Sequence, residues 1–409
     1  MNVYLKDKSV LSSAEKILLS YRLCDYCLGR LFAKVGKGKT NQSRGETIRE
    51  NLNRSKKNDV ANCWLCSGLI EEIPHFVDLI LDSIKDYEFE TFLIGSKVDE
   101  DVSAKEQKLI EFSCSENAEL IKMELNREIG KILEKRLGKK VNFEKPTIMV
   151  IIDTAFDVVS LQISSLFIYG RYKKYSREIP QTKWFCRVCR GKGCKKCRYT
   201  GKIYETSVEE LIAKKFLEKT KGDGATFHGS GREDIDVRML GNGRPFVLEI
   251  KNPKIRNFDP HELESDINKS NKNKIEVKDL RFSDKDDVKR IKSAKFRKKY
   301  RVTFVGEKSI NKEKLKKAVQ SLRDKKIGQF TPSRVAHRRA NLLRERYIYA
   351  CDIETIANNI AILTLEVESG TYIKELISGD DGKTKPSISE IIDNPCKVTE
   401  LDVIKIEGE

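Results

Sequence analysis

The sequence predicts an α+β protein of two or three domains, on three observations. The chain has 409 residues, more than one hydrophobic core usually organises. Segments of helical and of strand periodicity alternate along it, without the Gly-rich turn that opens a nucleotide-binding α/β fold. Eight of its 11 cysteines fall in four Cys-x-x-Cys pairs: Cys24/Cys27, Cys63/Cys66, Cys186/Cys189 and Cys194/Cys197.

The charge balance is 79 Lys and Arg against 62 Asp and Glu, a net +17. Such an excess points to a polyanionic partner, most often nucleic acid. The bland alternative is a Lys-rich composition, since acidic residues are also abundant. The longest apolar run, residues 148–152, is far short of the ~20 residues that span a bilayer. The N-terminus lacks the apolar stretch of a secretion signal, so a cytoplasmic protein is expected. In that compartment paired cysteines read as metal ligands rather than disulfides. Two pairs supply the four thiolates of one tetrahedral zinc site, so the eight cysteines predict two sites. Cys114, Cys351 and Cys396 read as core fillers.

The elements follow in order. Residues 42–56, between the first two cysteine pairs, read as a polar helix in a small metal-clipped module. The Gly36–Thr40 stretch fails the phosphate-loop spacing because Ala33 stands where the first Gly belongs. Residues 69–87 read as an amphipathic helix, with Pro74 marking a start or a kink. Residues 89–98 read as a strand, 116–137 as a long helix, and 147–153 and 158–168 as β-branched strands. In 169–175 aromatics alternate with cations, which suits either base stacking with phosphate contacts or a strand end with a solvated face. The second cysteine cluster, 186–197, holds five Lys and Arg and reads as a basic zinc knuckle, either an RNA contact or a structural staple. A helix is expected over 207–217, strands over 247–250, 300–305, 347–352 and 361–367, and a charged surface helix with loops over 254–299. A basic segment occupies 334–346.

Several chemistries are excluded. There is no Gly-x-Ser-x-Gly elbow, and the four histidines are scattered without a His-Glu-x-x-His pattern. What remains is a Gly-flanked acidic turn, Arg232-Glu-Asp-Ile-Asp236, with Arg238 and Arg244 close in sequence. A carboxylate among arginines can serve as a nucleophile; an ordinary charged β-turn is the competing reading.

Gly231-Arg-Glu-Asp-Ile-Asp-Val-Arg238 resembles the Gly-Arg-Thr-Asp-x-Gly-Val turn that carries the catalytic aspartate of pseudouridine synthases. Gly370-Thr-Tyr-Ile-Lys374 is similar to the Gly-Thr-Tyr-Ile-Arg motif of the same superfamily. With the first two cysteine pairs, the Gly241-Asn-Gly-Arg-Pro245 run and Gly382-Lys-Thr-Lys-Pro-Ser387, the resemblance narrows to one family. That family is the archaeal and eukaryotic tRNA pseudouridine synthase with a zinc-binding, THUMP-containing N-terminal half.

The resemblance implies four parts: a zinc-binding helical module at 1–68, a THUMP-containing RNA-binding domain at 69–180, a basic zinc knuckle and linker at 181–200, and a catalytic domain with a mixed, mostly antiparallel sheet at 201–409. It implies Asp234 as the catalytic aspartate, Tyr300 stacking on the target uracil, Lys374 pairing with the aspartate in place of an Arg, and Tyr372 and Leu401 lining the pocket. Asp236 would support the turn or pair with Arg238 or Arg244. The metal ligands would be Cys24, Cys27, Cys63, Cys66, Cys186, Cys189, Cys194 and Cys197, with structural zinc and no organic cofactor. The implied substrate is the tRNA T-loop at uridines 54 and 55, and the implied state a monomer. Two other classes compete: another THUMP-type tRNA-modifying enzyme, and a non-catalytic zinc-containing RNA-binding adaptor.

Overall fold

The computed structural model describes residues 3–35, 38–56, 59–113, 116–338 and 340–407. The chain forms two compact units, Met1–Ser164 and Ser165–Glu409. Cys114, and Gly36 and Lys37 of the glycine-rich stretch, lie outside the described residues.

In the first unit, the helices Asp25–Arg30 and Asn41–Asn51 pack closely. Each offers a glycine at the crossing: a Cβ on Gly29 would run into the carbonyl of Asn41, and one on Gly45 into that of Asp25. The polar helix expected over 42–56 is shorter than its pattern, spanning Asn41–Asn51. Thr40 caps its start, accepting the Ser43 amide at 3.2 Å. Pro74 lies in the first turn of the helix Ile73–Ile84 and marks its start.

Four strands follow: β1 (Thr91–Lys97), β2 (Lys140–Val141), β3 (Ile148–Asp153) and β4 (Val158–Ile163), in the order β2-β1-β3-β4. β1 runs parallel to β2 and β3, and β4 closes an antiparallel hairpin on β3. The helix Ile121–Leu137 packs on β1 and on Ile73–Ile84. Its Leu125, Ile129 and Leu133 meet Ile148, Val150 and Ile152 in one core. The helix Glu100–Ser113 is not expected from the sequence, because six of its 14 residues are charged and only Glu106 and Leu109 are buried.

The second unit is built on a ten-stranded sheet: β5 (Leu166–Lys174), β6 (Gly224–Gly229), β7 (Val237–Lys251), β8 (Ile275–Ser283), β9 (Lys298–Gly306), β10 (Lys325–Gln329), β11 (Arg344–Ala357), β12 (Ile360–Val367), β13 (Thr384–Lys385) and β14 (Cys396–Ile406). Their order is β13-β10-β11-β12-β9-β14-β7-β5-β8, with β6 paired to β7. β7 and β14 run parallel, while the other pairings are antiparallel. The sheet is therefore mixed and mostly antiparallel. β5, which the sequence reading grouped with the 69–180 segment, belongs to this sheet because it pairs with β7 and β8. The apolar stretch 158–168 thus holds the end of one sheet and the beginning of another. Cys351 and Cys396 are buried, as core fillers should be.

Candidate active site

The acidic turn lies between β6 and β7, and its entry depends on Gly231. That residue has φ +78°, and a Cβ there would meet the Lys298 Nζ at 3.0 Å and the Arg244 Nη1 at 3.2 Å.

The underside of the turn is a buried polar network. Glu233 points inward and pairs with Arg244 at 2.8 Å, both side chains 1% exposed. The Tyr172 hydroxyl donates to the Glu233 carboxylate at 2.8 Å. Gln181 donates to the Tyr172 hydroxyl at 2.8 Å and to the Gly231 carbonyl at 2.9 Å. Lys174 donates to the carbonyls of Ile179, Asp234 and Ile235 at 3.1, 3.3 and 2.7 Å. Burial pushes this amine down to about 8. The aromatic-and-cation pattern at 169–175 therefore serves neither of its sequence readings: Tyr169, Arg171, Tyr172 and Lys174 are buried. A buried charge is retained only where partners compensate its desolvation, and here Lys174 and Arg244 fix the backbone of the turn.

With Glu233 turned in, Asp234 and Asp236 remain on the accessible side. The Arg334 guanidinium bridges two carboxylates: Nη1 lies 2.7 Å from Asp234 and Nε 2.6 Å from the buried Glu375. The Lys374 Nζ is 2.7 Å from Asp236 and 3.6 Å from Asp234. The nearer cation to Asp234 is thus Arg334, while Lys374 sits on Asp236. Burial raises the Asp236 carboxyl, and the hydrogen bonds and charge of Lys374 outweigh it and hold it below the usual carboxylate range. Neither Arg238 nor Arg244 takes Asp236. Arg238 forks onto Asp402 at 2.9 and 2.6 Å, and Arg244 is taken by Glu233.

Asp234, Tyr300, Tyr372, Lys374 and Leu401 all line one cavity of about 790 Å³. Sheet register brings them there. Tyr300 on β9 stands opposite Val403 of β14 and Leu365 of β12, and Leu401 stands opposite Val237 of β7. Tyr372 caps the helix Ile373–Ser378, its amide and carbonyl both bonded to Gln329 at 2.9 and 3.0 Å. Burial pushes the Tyr300 hydroxyl up to about 12, so it stays protonated at neutral pH and can donate.

The cavity also holds residues that sequence reasoning missed: Arg334, Lys298, Trp184 and Tyr204. Arg334 stood in a basic segment without a role. Lys298 precedes Tyr300 by two, and the strand period of two was its only signal. Burial and the neighbouring Arg244 push its amine down to about 7.

Each cysteine cluster brings its four sulfurs within 4.8 Å of one another. Sγ–Sγ separations are 3.9 Å for Cys24/Cys66, 3.9 Å for Cys186/Cys194, 3.8 Å for Cys189/Cys197 and 3.7 Å for Cys194/Cys197. A tetrahedron with metal–sulfur bonds of about 2.3 Å has edges of about 3.8 Å, so both donor sets fit a zinc-type ion. N–H groups face the sulfurs, as thiolate ligands require. In the first cluster Arg30 donates to Cys27 at 2.9 Å. In the second the Gly193 amide donates to Cys189, and the Gly201 amide to Cys197, both at 3.2 Å.

Comparison with known proteins shows the family of the chain. Residues 167–407 match the family model "Pus10, C-terminal", and residues 76–153 match "Pus10 THUMP domain, archaeal". A relative from Methanothrix thermoacetophila is 38% identical over 98% of this chain and 95% of its own. One from Methanocaldococcus jannaschii is 41% identical over 96% of this chain and 93% of its own. Among solved structures, a Cbf5-Nop10-Gar1 complex aligns with a TM-score of 0.32 and 15% identity over 49% of this chain and 45% of that one. Both relatives carry the name tRNA pseudouridine synthase Pus10, an isomerase. The chain belongs to the Pus10 family of tRNA pseudouridine synthases.

Proposed function

We propose that the chain isomerises uridine to pseudouridine at positions 54 and 55 of the tRNA T-loop, with Asp234 as its catalytic carboxylate. The observation that carries this reading is a carboxylate on a turn rigidified from beneath, paired with Arg334 at 2.7 Å, beside Tyr300 in a cavity large enough for a nucleoside. The reaction breaks the bond from N1 to C1′ and makes one from C5 to C1′. Nothing is oxidised, so no organic cofactor is required. Asp234 either attacks C1′ or C6 or removes a sugar proton. Tyr300 stacks on the uracil of a uridine flipped out of its RNA stack, and Tyr372 and Leu401 enclose it. Lys374, with Arg334, orients the acidic pair.

The wider reading follows the four-part division. Residues 1–68 are a helical module clipped by zinc on Cys24, Cys27, Cys63 and Cys66. Residues 69–180 include the THUMP domain, which binds the tRNA body by shape and phosphate contacts. Residues 181–200 carry a second zinc on Cys186, Cys189, Cys194 and Cys197, and 201–409, together with β5 of the preceding segment, hold the catalytic machinery. The zinc ions hold the fold and take no part in the reaction. The enzyme acts as a monomer in the cytoplasm; among the described residues no helix is long and apolar enough to cross a membrane.

The test is tritium release from tRNA labelled at uridine C5, followed by mapping of the product. Release with pseudouridine at positions 54 and 55 is expected. Release with pseudouridine elsewhere would refute the T-loop assignment, and no release would refute the activity.

A further inference from the structure

The flanks of the second cysteine cluster form one ribbon. The Ile203 amide donates to the Trp184 carbonyl at 2.9 Å and the Cys186 amide to the Gly201 carbonyl at 2.7 Å. Phe185 faces Lys202 across an antiparallel bridge. Past this single bridge the chain bends at 203–205, which brings Tyr204 round to the side of Trp184. Trp184 and Tyr204 both line the cavity that holds Asp234. Their rings meet edge to face, centroids 5.6 Å apart, and the Arg232 guanidinium of the acidic turn lies 5.1 Å from the Trp184 centroid. Both rings lie outside the hydrophobic core of the unit. Outside the cavity lining, Phe185 is 58% exposed, and Tyr199, at the end of the cluster, is 71% exposed. Residues 183–202 contain eight Lys and Arg and no Asp or Glu.

Lys183 and Lys202 pair with Glu210 of the following helix, but exposed aromatics in a segment rich in cations and without acidic residues fit an occupant that offers flat apolar rings joined by anions. Single-stranded RNA has that chemistry. We propose that this ribbon is a nucleobase clamp. Trp184 and Tyr204 receive an unpaired base next to the target uridine inside the cavity. Phe185, Tyr199 and the surrounding cations hold the adjoining strand outside it. The four cysteines close the tip of the ribbon, so its metal would set the position of a cavity wall. The inference rests on reading the Asp234 cavity as the pseudouridine synthase site.

The test uses the full chain, an unmodified tRNA transcript, and a T-arm stem-loop carrying 2-aminopurine beside the target uridine. Stacking of one base on an aromatic corresponds to on the order of 5- to 100-fold in an equilibrium or rate. The double variant Trp184→Ala/Tyr204→Ala is expected to lower the single-turnover rate on that order, to abolish 2-aminopurine quenching, and to keep tRNA affinity within about threefold. Phe185→Ala/Tyr199→Ala is expected to weaken tRNA binding on that order while the rate at saturation is kept. Trp184→Phe, which preserves a stacking face, is expected to restore most of the rate and quenching. If both double variants bind, quench and turn over as the parent does, the clamp is refuted. It is equally refuted if their losses track lost metal content and melting temperature, which would make the ribbon a staple only. If the parent makes no pseudouridine yet its quenching depends on Trp184, the clamp stands and the assigned activity falls.

Discussion

At the scale of single residues, the site separates three carboxylates of one turn by their surroundings. Glu233 is consumed in the interior by Arg244 and Tyr172, Asp236 is held by Lys374, and Asp234 faces the cavity with Arg334. Arg334 spans Asp234 and Glu375, so Arg334→Ala removes the group that orients Asp234 and leaves Glu375 buried without it. Misplacing a reacting group by about 1 Å can cost on the order of 100-fold. Arg334→Ala should therefore lower the single-turnover rate by roughly 10- to 100-fold, more than Lys374→Ala, with tRNA affinity retained. Equal and small effects of the two would contradict this division of roles.

Lys298 gives a second expectation at this scale. Its amine ordinarily titrates at 10.5 and is pushed down to about 7 in the fold. Below pH 7 both the folded and the unfolded chain carry the proton, and the cost of burying the charge is present in full. Between about 7 and 10.5 the unfolded chain binds a proton that the folded chain has released, so this residue makes stability rise with pH across that window. At about 1.4 kcal/mol per unit the effect is on the order of 5 kcal/mol. Lys298→Met should thus be relatively most stable near pH 6, its advantage shrinking toward pH 10. Thermal unfolding at several pH values checks this, and a difference that does not change with pH would contradict it.

At the scale of elements, the sequence was legible where one face is apolar in steady phase. The helices Ile73–Ile84 and Ile121–Leu137 and the strands β1 and β3 follow from their periods. β8 and β14 escaped because their phase is broken. Asp279 interrupts β8 at φ +58°, and β14 slips register against β9 between Val398 and Glu400 and again between Val403 and Lys405. Such irregularities move apolar residues off strict alternation while they stay buried. Of the candidate pocket residues, Asp234, Tyr372 and Lys374 were legible because each belongs to a short contiguous pattern. Arg334, Lys298, Trp184 and Tyr204 were not, since only the folded sheet brings them to Asp234.

The cysteine clusters belong to this scale as well. Two zinc ions per chain are expected by elemental analysis. Cys24→Ala should release one and lower the melting temperature of the N-terminal unit, because the helices Asp25–Arg30 and Asn41–Asn51 are pinned beside that cluster. Retention of both ions by a Cys24/Cys27/Cys63/Cys66 quadruple alanine variant would exclude the first site.

At the scale of the whole molecule, the net +17 suits a polyanionic substrate such as the tRNA of the proposed reaction. Phosphate neutralisation releases counterions, so affinity for tRNA should fall linearly on a logarithmic salt scale, by roughly 10³-fold or more between 50 and 200 mM if six or more phosphates are contacted. Binding insensitive to salt would place recognition elsewhere than in the basic surface.

The central claim is that Asp234, not its neighbour Asp236, performs the chemistry, and comparison of Asp234→Asn with Asp236→Asn tests it most directly. Each replacement keeps the side-chain shape and removes the charge. Tritium release from C5-labelled tRNA under single-turnover conditions should fall below detection for Asp234→Asn, with tRNA affinity unchanged, because an amide neither forms the ester nor accepts the proton that a carboxylate can. Asp236→Asn should retain measurable turnover, since it loses only its pairing with Lys374. An active Asp234→Asn beside an inactive Asp236→Asn would contradict the account.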